Sequence, residues 1–467
     1  FMISKSIALK VLNIALATGA DFSEIYLEET TSNSLSLENG QVETSTSNLS
    51  YGAGIRILNK LQSVYGYTND VSLKGLSALA ESLSKSFNEP RKVTVTTLKK
   101  GRVNNIHLIE RPFNEVPTSE KMALLKDAND IIRNYDKRLV RVQTMLMDND
   151  EKVYIFNSNG KEFRDDRQRG RMAFVALAAE NGKIETSFEG PGASSGFEFF
   201  TKTIDYKAKA LEVAKSAIKL LHAAPCPSGK MPVVIGNGFG GVIFHEACGH
   251  PLEATSVAKK LSVFTDKVGQ QIANPVVTAI DDGTIPNAWG SGTIDDEGHK
   301  TQKNVLIKNG ILQQYLVDDF NGRRMGVKGN GATRRQSYKY EPTSRMSNTY
   351  IDNGHSTPEE IIGATKFGLY AKSLGGGSVD PATGDFNFSV SEAYMIRDGK
   401  VAEQVKGATL IGNGADILKK IDMVGNDLLR AQGMCGSVSG SIPVDVGQPT
   451  IRVSEITVGG QGGSLNG

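Results

Sequence analysis

No apolar run in the 467-residue sequence approaches the ~18 residues of a membrane-spanning helix. Lys5, Lys10 and Asn13 interrupt the apolar residues near the start, so no signal-peptide core forms there. Three cysteines, at 226, 248 and 435, are too few for a disulfide framework. Neither sign of charge dominates: 53 Lys+Arg stand against 51 Asp+Glu, a formal net charge of +2, so bulk electrostatics gives no reason to attract a polyanion. Repeats and low-complexity tracts are absent too. These absences predict a soluble, cytoplasmic globular protein with no membrane and no nucleic-acid partner. At about 150 residues per domain, the length predicts about three domains.

Glycine is the residue in excess. Fifty in 467 residues exceed the average usage of about 7 %, and the surplus lies mainly beyond residue 228. Tight turns, or backbone passing close to something bound, account for such a bias. Chain patterning gives an α+β protein with antiparallel sheets rather than a repeating βαβ series. An N-terminal unit, 2–104, reads as helix, four strands, helix: Ile7, Val11 and Ile14 recur at helical spacing, Asn39-Gly40 is a hairpin signal, and Leu73, Leu76, Leu79, Leu83 and Phe87 form a second helical stripe. A middle unit, 105–224, offers a helix from Ser119 to Tyr135, strands at 139–148, 152–157 and 171–179, and a helix from Tyr206 to His222. Its charged run Arg164 to Arg171 reads as a solvated strand or loop. After the linker Pro225-Cys226-Pro227-Ser228-Gly229 comes a larger strand-rich unit, 228–467. There Asn309-Gly310 and Asp398-Gly399 mark hairpins, Thr357-Pro358 with Glu360 opens a capped helix, and a further helix is predicted over roughly 415–431.

Two signals overlap at 231–250. Gly236-Asn237-Gly238-Phe239-Gly240-Gly241 after an apolar strand has the form of a dinucleotide fingerprint. The second parallel strand with an acidic end that such a unit needs about 20 residues on is missing, because 253–260 has no strand character. The glycines are therefore expected to bring a helix close to a sheet. That helix carries His245-Glu246-Ala247-Cys248-Gly249-His250. Neutral imidazoles bind Zn²⁺, and a carboxylate beside them can take a proton from water there. With only six histidines in the chain, a pair bracketing a glutamate stands out. Their spacing is five, however, and a regular α-helix would point them about 140° apart. A π-type turn, or a helix ending at Gly249 before Pro251, would reunite them. Without one of these, the two histidines are unrelated. The third ligand stays open among Cys435, His299, Asp295/Asp296/Glu297 and Cys248. Cys435 is placed in a glycine-flanked turn after a helix, and Cys248 reads as packing. His107, His222 and His355 receive no role.

Around these residues the chain resembles the TldD/PmbA family of peptidases, once described as modulators of DNA gyrase. The likeness runs through His245 to His250 with Pro251-Leu252-Glu253, Asp295-Asp296-Glu297-Gly298, Gly331 to Tyr338, Arg345 to Tyr350, Gly375 to Pro381, Met434-Cys435-Gly436 and Val446 to Thr450. The family's partner-type subunit lacks the histidine–glutamate motif, so the chain looks like the catalytic, TldD-type member. The resemblance implies a zinc metallopeptidase acting on unfolded or flexible peptides, with His245, His250 and Cys435 as ligands and Glu246 as general base. His299 departs from the family pattern and reads as a surface histidine. Arg334, Arg335 and Tyr338, grouped in one matching block, are candidate donors to substrate or oxyanion. Glycine-rich strands beyond 373 could let a peptide pair by its main chain. The resemblance also implies a dimer, either with an identical chain or with an inactive TldE/PmbA-type homologue. A non-catalytic peptide-binding or scaffold protein of the same fold is the alternative.

Overall fold

The computed structural model describes residues 3–465. Helix α1 (Lys5–Leu16) starts at Ser4, whose side chain accepts from the Ile7 N–H. It buries Ala8, Val11, Leu12, Ala15 and Leu16, so its core face is turned from the expected stripe and leaves Ile7 and Ile14 half-buried at the flanks. Three strands follow rather than four, β1 (Phe22–Glu38), β2 (Gln41–Asn59) and β3 (Gln62–Thr68), and then α2 (Leu73–Ser84). The short alternating runs seen in sequence are parts of strands of 17 and 19 residues joined at Asn39-Gly40. Beyond α3 (Thr118–Arg133), the runs 139–148 and 152–157 merge into one strand, β4 (Leu139–Asn157). Likewise 171–179 is the end of β5 (Lys161–Glu180), which hairpins into β6 (Lys183–Glu189) before α4 (Tyr206–Leu220).

All these strands belong to one sheet, in the order β3-β2-β1-β4-β5, with β6 on β5. The join between the two hairpins is the antiparallel β1–β4 ladder, in which Leu35 faces Leu146. Period-two alternation gives the long strands two jobs. Ile25 and Leu27 pack with α1 and α2, whereas Tyr26 between them packs with Val153, Ile155, Ile294 and Tyr338 against the C-terminal unit. The charged run Arg164 to Arg171 follows the same rule, which corrects its reading as solvated. Arg164 and Asp166 are exposed, but Asp165, Arg167 and Arg169 turn inward, where Arg167 meets Asp296 at 2.7 Å. Charge in a strand says nothing about exposure when the opposing surface supplies the counter-charge.

The C-terminal unit has two main sheets. In one, β7 (Gly229–Ile235) pairs with β11 (Phe367–Val379) and β15 (Ile451–Gly459). The ladder runs on through Thr409–Asn413 to β12 (Asp385–Arg397), which pairs back on β11 and closes the ring. The other sheet contains β8 (Ala279–Asp282), β9 (Lys303–Lys308), β10 (Asn348–Ile351), β13 (Leu429–Ser437) and β14 (Gly440–Gln448). Residues of both sheets share one core, and Val242, Ile243, Phe244, Ala247, Cys248 and Leu252 of the histidine-bearing segment fill part of it. Helix α5 (Pro358–Gly363) has the expected cap, the Thr357 hydroxyl accepting from Glu360 N–H. The predicted 415–431 helix is corrected: α6 spans only Gly414–Lys420, and Ile421–Val424 is a strand on β15. Sheet pairing captures Ile421 and Val424. Gly425 and Asp427 then turn the chain, with the Asp427 carboxylate accepting from the Thr450 N–H and hydroxyl. Cys435 therefore lies within strand β13, not in a turn after a helix. No helix among the described residues is long and apolar enough to cross a membrane.

Candidate metal centre

The glycines after β7 act on packing. A Cβ at Gly236 would lie 2.2 Å from the Lys372 carbonyl oxygen, one at Gly241 would lie 2.5 Å from that of Gly447, and Gly238 has φ +80°. They let the following segment press onto the strands. The parallel partner of β7 is β11, more than a hundred residues on, so this is not a dinucleotide unit.

From His245 to Gly249 the backbone makes a π-helical turn, closed by the His250 N–H donating to the His245 carbonyl. That i→i+5 bond is the geometry which five-residue spacing requires if the histidines are to meet. A 3₁₀ turn, His250–Leu252, follows with Pro251 inside it, and Glu253 is extended. Room for the π turn comes from Gly249, where an added Cβ would sit 2.3 Å from Met346 Sδ. As a result the His245 and His250 ring centroids are 5.1 Å apart, and both Nε2 atoms lie 3.3 Å from Cys435 Sγ, presented by β13.

These three ligand atoms all lie within 4.8 Å of one another. A tetrahedral zinc with Zn–N of about 2.0–2.1 Å and Zn–S of about 2.3 Å would set N and S about 3.6 Å apart, so the donor set fits that ion in type and spacing. The Glu246 carboxylate flanks it, 3.8 Å from His245 Nε2 and 3.7 Å from His250 Nε2, with its side chain 35 % exposed. Burial raises the Glu246 pKa, opposed by His250. His245 is held well below its ordinary value by burial, with repulsion from His250 and Arg345 added. For His250 burial works in the same direction, but Glu253 and Cys435 outweigh it and raise the pKa.

Glu253 was given no role by the sequence reading. Its carboxylate takes His250 Nδ1 at 2.6 Å and is almost wholly buried. Such a partner fixes the tautomer and orientation of a metal-ligating imidazole. Its place three residues after His250 is the signal that could have revealed it. His245 has no equivalent: its Nδ1 is buried without a partner among the described residues. Arg345 was also unassigned. It is fully buried beneath Cys435, whose carbonyl accepts from Nη2 at 2.5 Å.

The other candidates lie elsewhere. Cys248 Sγ is buried against the Gly414 carbonyl, and burial raises its pKa. His299 pairs with Asp319 at 2.5 Å, with 46 % of its side chain exposed. Asp295 accepts from the backbone of Glu297, His299 and Thr333. Asp296 holds Arg167, and Glu297 holds Arg56. Of the proposed donors, Arg335 is committed to Glu24 at 2.9 Å with its guanidinium over the Tyr26 ring, and Tyr338 packs in the interface between the units. The structure thus puts both in the contact between units rather than with the histidines. Arg334 differs in its partner: it donates to the Met346 carbonyl, and it lines a cavity together with Arg335 and Arg345.

Comparison with known proteins gives three successive matches, to domain 1 (residues 23–87), the central domain (111–221) and the C-terminal domain (228–460) of the PmbA/TldA metallopeptidases. A metalloprotease TldD homolog of Haemophilus influenzae is 37% identical over 466 residues, 98% of this chain and 97% of that protein. A metalloprotease of Methanocaldococcus jannaschii is 34% identical over 437 residues, covering 92% and 96%. Among solved structures, a putative modulator of a DNA gyrase from Thermotoga maritima superposes with a TM-score of 0.79 at 23% identity, over 97% of this chain and 100% of that one. TldE from Thermococcus kodakarensis gives 0.75 at 18%, over 97% and 98%. At these identities the structures show a shared fold, while the full-length sequence matches show descent. The chain belongs to the PmbA/TldD family of metallopeptidases.

Proposed function

We propose that the chain is a zinc-dependent peptidase of flexible or unfolded peptides, with His245, His250 and Cys435 holding the ion and Glu246 as general base. The observation that carries this is the convergence of two imidazoles and a thiol within 4.8 Å beside a half-exposed carboxylate. Bound there, zinc would supply Lewis-acid polarisation of the scissile carbonyl and acidify water at that carbonyl. The Glu246 carboxylate takes the proton from the attacking water and passes it to the leaving amine. Glu253 keeps His250 Nδ1 protonated and Nε2 free to ligate, and the apolar residues of the turn exclude bulk water from one side. Strand β11 runs beside the π turn and, among the described residues, has no strand paired on the outer side of 373–379. A peptide adding there would be held by its main chain, which favours loose sequence preference.

Glu246→Gln is the test. The purified variant should keep about one zinc per chain, by elemental analysis, and lose about 10²–10⁴-fold in peptide turnover. Full turnover in the variant removes the role of Glu246, and a parent chain that retains no zinc removes the metal reading. The active form is proposed to be cytoplasmic and dimeric, paired with a second copy or with a TldE/PmbA-type homologue lacking the motif. Light scattering at micromolar concentration checks this: a fully active monomer contradicts it.

A further inference from the structure

Between the long-stranded sheet and the C-terminal unit lies a cavity of about 350 Å³, near the lower end of the ~300–1,000 Å³ typical of ligand sites. Arg167, Arg169, Arg334, Arg335 and Arg345 all line it. Two of the five are neutralised: Arg167 by Asp165 and Asp296, and Arg335 by Glu24. The other three have no carboxylate within ion-pair distance among the described residues. Arg169 donates to the carbonyls of Trp289 and Ser291, at 2.9 and 3.0 Å, and Arg334 only to that of Met346, at 2.8 Å. Arg345 donates to Ser439 Oγ and to the Gly440 and Cys435 carbonyls, and its Nε is buried with no partner.

The acids on the same walls are already claimed. Glu28 accepts from the Tyr338 N–H and the Thr30 hydroxyl, and Asp296 accepts from Arg167 and the Arg335 N–H. Glu151 accepts from the Tyr26 hydroxyl and lies 3.6 Å from Arg167, and Asp295 accepts from the Glu297, His299 and Thr333 N–H groups. Burying three guanidiniums is costly unless an opposite charge joins them. They are also near enough to repel one another: after burial, Arg169 and then Arg345 help to pull the Arg334 pKa down to about 9. Asp296 and Asp281 oppose this at Arg334, as Glu151 does at Arg169, but among the described residues none of these acids reaches ion-pair distance of the three, so the walls suit an anion from outside. The cavity adjoins the metal centre, because Arg345 and Met434 line it while Arg345 also bonds the Cys435 carbonyl.

We infer that this cavity is a carboxylate subsite of the peptide-binding cleft, in which Arg169, Arg334 and Arg345 receive a C-terminal or side-chain carboxylate of the substrate close to the bond that is cut. The inference rests on the peptidase reading. It gives the enzyme a charge preference on top of main-chain recognition, and guanidinium forks are suited to a planar carboxylate.

The test uses four fluorescent peptides of one sequence: with a free C-terminal carboxylate or an amide, and with Asp/Glu or Asn/Gln at their side-chain positions. Charge-assisted pairing predicts that losing the recognised carboxylate weakens binding about 10- to 100-fold. In turnover this loss should fall mainly on KM. The C-terminal and side-chain arms identify which carboxylate docks. Arg334→Met should abolish the discrimination, leaving the acidic peptide no better than its amide, while Arg334→Lys should restore part of it. Binding is also measured by anisotropy on full-length Glu246→Gln, so the subsite is read without catalysis. Selective binding without hydrolysis by the parent would sink the peptidase reading and leave the subsite standing. Equal binding of all four peptides to the parent, or discrimination that survives in a folded Arg334→Met chain, would overturn the subsite.

Discussion

Cys248 lies inside the histidine motif and Cys435 lies 185 residues beyond His250, yet it is the distant one whose surroundings suit a ligand. Cys435 Sγ faces two imidazole nitrogens at 3.3 Å, whereas Cys248 Sγ, on the histidine-bearing turn itself, faces only a carbonyl. Cys435→Ser should therefore lower zinc occupancy sharply, since a hydroxyl is a poor substitute for a thiolate ligand. Cys248→Ser should leave occupancy unchanged. Elemental analysis of the two variants decides it, and equal zinc in both would send the third-ligand assignment elsewhere. At this scale the sequence was informative wherever chemistry is local: His245, Glu246 and His250 announce themselves within six residues. It was silent on Arg345 and gave no pairing for Glu253, because their roles depend on contacts with Cys435 and on a ring orientation. Arg334 and Arg335 are neighbours in sequence and line the same cavity, but Arg335 is tied to Glu24 whereas Arg334 has no carboxylate at ion-pair distance among the described residues.

The π turn shows what an irregular element contributes. Five-residue spacing excludes a regular α-helix for a shared ion, and the alternative could be read from the sequence in advance by turn geometry alone. Gly249 is its weak point, since a side chain there would strike the buried Met346. Gly249→Ala should destabilise the protein by about 1–3 kcal/mol through overpacking. It should also loosen zinc retention, because His250 is the next residue. Thermal denaturation and zinc titration check both effects, and an unaltered Tm with unaltered affinity would show that the turn tolerates regularisation. The same local reasoning failed for 415–431. The helical pattern there was real, but Ile421 and Val424 bury themselves better on β15 than along a helix. Strand pairing between residues about thirty apart overrides a propensity worth fractions of a kcal/mol per residue.

Across the whole molecule, the units are bound together by buried charge, and the sequence gives little sign of it. No local pattern reports that Leu35 pairs with Leu146, or that Arg56 of the N-terminal sheet reaches Glu297 of the C-terminal unit. Arg56 is 1 % exposed and lies 3.1 Å from Glu24 and 2.7 Å from Glu297, both equally buried. Glu24 also meets Arg335, so the cluster spans the contact between the units from both sides. Breaking a buried pair leaves a carboxylate without its counter-charge, at a cost of about 3–5 kcal/mol. Arg56→Met should show most of that loss in urea denaturation, because the Glu297 carboxylate then keeps only the Thr333 hydroxyl and the Asp319 N–H as donors. Arg164 supplies the control. It pairs with Asp166 at 3.5 Å with more than half of each side chain exposed, so Arg164→Met should change stability by no more than about 0.5 kcal/mol. If the contact between units depends on this charge, Arg56→Met should also split the unfolding into two transitions, the N-terminal sheet separating from the strand-rich unit before either melts. A cost no larger than that of Arg164→Met, with a single transition, would move the burden of holding the units together to the apolar contact around Tyr26 and Tyr338.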